Sequence, residues 1–186
     1  MSTSNYAEYL ARTLAPFVPT PQVVARKAIA MLGIENVSAG SAFCDLGCGD
    51  GRVALEAARV SPAVQAIGVE CDQQTLDRAQ QYVHEVCGGM PPPNLELRRG
   101  DLRHMDLRFA TLFYAYLSQS GVQVAASALD RTKFAPGTDL RFVTCEYAID
   151  DPLWQVREVV KERCDVMGLE LRLYCWRSTQ SNFTRM

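Results

Sequence analysis

No apolar run in this 186-residue chain approaches the ~20 residues a helix needs to cross a bilayer, so no integral membrane segment is expected. Excess charge of either sign is missing too. Lysine and arginine total 19 against 21 aspartates and glutamates, a net of −2. That near-balance removes the broad basic field on which general nucleic-acid binding depends. Histidine is scarce: His84 and His104 are the two present, and neither has the spacing of a metal ligand. No zinc or iron site is expected. The seven cysteines, Cys44, Cys48, Cys71, Cys87, Cys145, Cys164 and Cys175, are odd in number and include no CxxC pair. Several fall within apolar runs, so free thiols in a reducing compartment are expected. The start lacks the apolar stretch of a secretory leader. A cytoplasmic location is expected, with a mitochondrial one as the alternative because Ser2, Thr3, Ser4 and Arg12 precede or surround a single acid, Glu8.

What is present centres on Ala42-Phe43-Cys44-Asp45-Leu46-Gly47-Cys48-Gly49-Asp50-Gly51-Arg52. Ala42 to Cys44 reads as a buried strand and Val53 to Val60 as a helix, with a glycine turn between them. Glycine reaches positive φ at little cost and has no Cβ to hold a ligand off the backbone. The turn ends where a helix begins, and free N–H groups there favour a polar or anionic ligand. A dinucleotide fingerprint needs glycine at its sixth place, but counting from Gly47 that place holds Arg52. A phosphate loop of the Gly-Lys-Ser/Thr kind is absent. Asp45 also argues against a pyrophosphate, which it would repel.

The string Asp45-Leu46-Gly47-Cys48-Gly49-Asp50-Gly51 instead resembles the first motif of class I S-adenosylmethionine (SAM) methyltransferases. Asp45 suits the cationic amino end of that cofactor. Ala63 to Glu70 reads as a second strand, and Glu70 lies 23 residues beyond Gly47, where an acid can take the two hydroxyls of a ribose.

Upstream, Asn5 to Leu14 has helical spacing. Pro16, Pro19 and Pro21 enforce an extended connection, and Thr20 is a good N-cap for a helix over Pro21 to Leu32. Its expected buried face is Val23, Val24, Ala28, Ile29 and Leu32, and Gly33 closes it. Downstream, Asp72 caps a helix over Gln73 to Val86, and Gly88 to Pro93 is a loop. Strands are expected at Leu95 to Arg99, Thr111 to Leu117 and Leu140 to Cys145, with a helix over Val122 to Leu129. Gln155 to Arg163 and Leu169 to Trp176 form a closing hairpin. Strands alternating with helices give an α/β fold: a Rossmann-like, mostly parallel twisted sheet with helices on both faces and a C-terminal antiparallel hairpin. One SAM-binding domain is expected over residues 1–186, with a helical lead-in over 1–33 and the core over 40–177.

The resemblance extends over residues 16–176. Phe17-Val18-Pro19-Thr20-Pro21 is similar to the Tyr-Val-Pro-Thr-Pro lead-in of small protein-lysine methyltransferases, among them the family acting on the ATP synthase c-subunit. Tyr116-Leu117, the Pro136-Gly137-Thr138 segment before the fifth strand, and Trp154 match that family as well. Ser118-Gln119 departs from its usual Leu-Pro, and no Asn-Pro-Pro-Tyr tetrapeptide suggests an amide or base amine as acceptor. The resemblance implies S-adenosyl-L-methionine as cofactor, S-adenosyl-L-homocysteine as product and a protein substrate. It implies cofactor contacts from Thr20, Asp45, Gly47, Cys48, Gly49, Glu70, Cys71, Asp101 and Leu102. Tyr116 would border the methyl group and Glu146 would receive or bias the lysine proton. A small-molecule acceptor and a silent SAM-binding subunit are the competing readings.

Overall fold

In the computed structural model, residues 16–177 are described apart from 39, 130–133, 136, 153 and 165–166; the expected helix at Asn5 to Leu14 lies outside them. Helix α1 spans Gln22–Leu32 and ends at Gly33, whose φ of 64° lets its N–H turn back to the Ala30 carbonyl. Strands β1 (Ala42–Leu46), β2 (Gln65–Glu70), β3 (Leu95–Arg99) and β4 (Leu112–Ala115) alternate with α2 (Arg52–Val60) and α3 (Gln73–Val86). Helix α4 (Gln119–Ala128) then leads to β5 (Asp139–Cys145), followed by β6 (Gln155–Cys164) and β7 (Met167–Arg177).

The seven strands form one sheet in the order β3-β2-β1-β4-β5-β7-β6. The first five are parallel, and β7 runs antiparallel between β5 and β6. Both arms of the closing hairpin therefore join the sheet. All five residues of β1 are buried, as expected of a central strand covered on two faces. One face packs Phe43, Ala66, Leu112, Tyr114 and Val143 against α1 and α2. The other packs Cys44, Ile67, Phe113 and Phe142 against α4 and Trp154.

Two local expectations need correction. Val23 is exposed, and Ala25 takes its place on the buried face of α1. Thr20 does not cap that helix: Pro21 occupies the N-cap position with no side-chain bond. The Thr20 hydroxyl instead pairs with the Tyr114 hydroxyl at 3.1 Å. A buried hydroxyl across the sheet outcompetes a helix end that water can satisfy.

Phe142 is fully buried and meets Phe113 and Trp154 edge-on, at centroid distances of 6.3 and 5.7 Å. Phe142→Ala should lower stability by about 3–5 kcal/mol, read from urea unfolding. A loss below about 1 kcal/mol would mean that this face is not the packed core described.

Candidate active site

Sheet order reverses at β1, whose neighbours are β2 and β4. In open α/β sheets the carboxyl ends of the strands at such a reversal are where ligands collect. A cleft of about 750 Å³, counting its open mouth, lies there.

Asp45 is the deepest polar group. It points from β1 to the α2 side of the sheet and accepts a hydrogen bond from the Ala54 N–H, in the first turn of that helix. Gly51, the N-cap of α2, has no side chain to do this, so the strand supplies the cap. Asp45 is 2% exposed, and its Oδ2 finds no donor among the described residues. Burial, with Asp50 and Glu70 nearby, pushes its carboxyl up to about 8 despite the Ala54 bond.

The turn itself is tied to β2. The N–H groups of Gly47 and Cys48 both donate to the Val69 carbonyl at 2.9 Å. Glu70 continues that link: Oε2 accepts from the Gly49 N–H at 3.1 Å, and Oε1 accepts from the Cys71 and Asp72 N–H groups at 2.9 and 3.0 Å. Gly49 has a φ of 56°, and a Cβ there would stand 2.5 Å from the Phe17 ring. The lead-in ring thus lies directly over the glycine turn.

The cleft brings together Thr20, Asp45, Gly47, Cys48, Gly49, Glu70, Cys71, Asp101, Leu102 and Tyr116. Asp101 is held in a fork by Arg103, which lowers its carboxyl. Burial pushes the Cys48 thiol well up and the Cys71 thiol to about 11, so both stay protonated and serve as wall rather than nucleophile. Glu146 is not brought there. Its φ of 70° turns it towards β7, where its carboxylate accepts the Glu170 N–H at 2.8 Å and its carbonyl accepts from Arg172 at 2.6 Å. It ties β5 to β7.

Tyr114, which lies within the expected fourth strand, also lines the cleft. The signal was its register: it stands beside Asp45 across the β1–β4 pair.

The methyltransferase-domain family matches residues 43–134. A protein-lysine N-methyltransferase of Saccharolobus islandicus (strain REY15A) is 30% identical over 161 residues, 86% of this chain and 92% of that protein. The chain belongs to the class I SAM-dependent methyltransferases. A Salinibacter ruber RNA methyltransferase solved with S-adenosyl-L-homocysteine is 27% identical, with a TM-score of 0.65 over 88% of this chain and 95% of that one. The magnesium protoporphyrin IX methyltransferase of Synechocystis PCC 6803, at 12% identity and a TM-score of 0.63 over 94% and 92%, shares the fold. This methyltransferase takes S-adenosyl-L-methionine as cofactor and yields S-adenosyl-L-homocysteine. The cleft fits that cofactor, since a buried carboxylate oxygen with no donor among the described residues suits an ammonium.

Asp45 keeps its proton up to about pH 8 in the folded methyltransferase, against an ordinary 3.8. Between those values the native state binds more protons than the unfolded one, so stability falls as pH rises. Asp45→Asn should flatten that fall between about pH 4 and 8, so that the variant's urea midpoint rises relative to the wild type's as pH increases across the range. Parallel curves for the two proteins would contradict the raised value.

Proposed function

We propose that this methyltransferase places its methyl group on the side-chain amine of a lysine in a protein. The observation that carries this reading is the charge of the cleft. Its lining holds four carboxyl side chains, Asp45, Asp50, Glu70 and Asp101; burial keeps Asp45 protonated, and Asp50 and Asp101 are paired with Arg52 and Arg103, so the lining offers no unpaired cation to a phosphate. Such a lining suits a cationic side chain better than the phosphates of a nucleic acid. The similarity to the Saccharolobus lysine methyltransferase supports the same choice. The Salinibacter RNA methyltransferase favours RNA instead, and the net charge of −2 opposes it.

The residue roles follow from position. Asp45 takes the ammonium of the cofactor's methionyl end, with Thr20 beside it and the backbone of Gly47, Cys48 and Gly49 alongside. Glu70 accepts the ribose hydroxyls, its carboxylate already oriented by three backbone N–H groups. Cys71, Asp101 and Leu102 form the wall for the base. The bound cofactor supplies a methyl group activated on a sulfonium sulfur.

The chain's remaining task is to align an amine and exclude water. Tyr116, half-buried just beyond β4, and Phe17 on the lead-in form the inner end of the acceptor channel. Apolar walls there lower the pKa of a lysine ammonium by removing its water, which frees the lone pair. The mouth stays open: Phe17 and Val18 at its rim are 47% and 48% exposed. The loop of Gly88 to Pro93 enters β3 at its amino end, away from the cleft. An open mouth suits an acceptor carried on a folded surface better than a small molecule sealed from solvent.

Tritiated SAM given with the enzyme to a fractionated lysate should label protein, at lysine by mass spectrometry. Label lost to ribonuclease, or confined to low-mass fractions, would overturn the lysine reading. Tyr116→Ala should cut transfer far more than SAM affinity. Glu70→Ala should weaken SAM by about 1.5–3 kcal/mol in calorimetry, and unchanged affinity would remove Glu70 from the site.

A further inference from the structure

Residues 16–20 pass over the glycine turn with no helix or strand to hold them. Phe17 and Val18 are about half exposed, and Thr20 is buried. Something must fix this segment if it is to serve as a wall, because an unfixed segment would have to be ordered at each binding event. Prolines 16, 19 and 21 limit its freedom but do not attach it to the turn.

Among the described residues, two side-chain hydrogen bonds tie it to the rest of the chain. One is the Thr20 hydroxyl on Tyr114. The other is Arg52, the first residue of α2. Its Nη1 donates to the Thr20 carbonyl at 3.2 Å. Its Nε lies 3.0 and 2.9 Å from the two oxygens of Asp50, and Nη2 lies 2.6 Å from Oδ2. The Tyr82 ring stands 5.8 Å from the guanidinium carbon.

Guanidinium donors lie in a rigid plane. Once Nε and Nη2 are locked on Asp50 the plane of the guanidinium is fixed, and an N–H of Nη1 points at the lead-in. Asp50 belongs to the glycine turn, so the fork joins the turn to the strap above it.

We infer that Arg52 is a positioning residue, clamping the Phe17–Thr20 segment over the glycine turn and thereby setting cofactor affinity. The inference rests on the cofactor seat proposed above. It differs from a direct contact in one measurable respect: Arg52 acts through the lead-in, so its effect vanishes when the lead-in has already lost its hold.

A double-mutant cycle on the full chain tests this, with calorimetric binding of both SAM and S-adenosylhomocysteine as the readout. Arg52→Ala and Phe17→Ala should each weaken both ligands about tenfold, the scale of one lost charge-assisted hydrogen bond. The double variant should be no weaker than the worse single one by more than about twofold. Arg52→Lys, which keeps the charge but loses the fork, should fall between wild type and Arg52→Ala, and it replaces Arg52→Ala in the cycle if that variant does not fold. Losses that multiply in the double variant would overturn the clamp, as would full affinity in Arg52→Ala beside weakened Phe17→Ala. A gain in affinity for SAM relative to S-adenosylhomocysteine would also overturn it, because that would report the freed charge of Asp50 rather than the lead-in. Unchanged affinity in Phe17→Ala and Glu70→Ala together would instead remove the cofactor seat itself.

Discussion

Asp45 is a carboxyl group at the end of a fully buried strand, beneath the first turn of a helix, with one oxygen bonded to Ala54 and the other without a donor among the described residues. Burying such a group unpaired is unfavourable by on the order of several kcal/mol if it is charged. The free protein avoids that by keeping the proton, which is why its pKa rises to about 8. A cation delivered to Oδ2 removes the penalty. On the proposed assignment, that cation is the ammonium of SAM.

The surroundings follow from that placement. A helix must start immediately above Asp45 for Ala54 to reach it, and the chain must therefore turn sharply between β1 and α2. Gly47, Gly49 and Gly51 take φ values of 76°, 56° and 77° to make the turn. Glu70 and the Val69 carbonyl then hold the turn from the next strand. Above it, Phe17 rests where a side chain on Gly49 would have been. Each wall of the cleft is anchored to a different element, which lets the cofactor seat be largely preformed.

Much of this was legible in the sequence because it depends on local spacing. The glycine turn, the acid closing β2 and the strand–helix alternation are short-range patterns, and the parallel sheet and closing hairpin follow from them. What was not legible depended on neighbours far along the chain. Thr20 looks like a helix cap by its sequence context, but Tyr114 lies 94 residues away and offers a buried partner. Tyr114 itself hides in an apolar run, and its pairing beside Asp45 is a matter of register. Glu146 reads as a loop acid near the site, whereas its positive φ commits it to β7. The fork of Arg52, which bridges Asp50 and Thr20, joins two residues of the motif to one 32 positions upstream of Arg52, a link that composition does not reveal.

The central claim is that Asp45 surrenders its proton when it receives the cofactor's ammonium. Calorimetry of SAM binding near neutral pH, in two buffers of different ionisation enthalpy, reads this directly. The account predicts release of up to about one proton per cofactor bound, abolished in Asp45→Asn. Binding heats that are independent of buffer in the wild-type protein would contradict it.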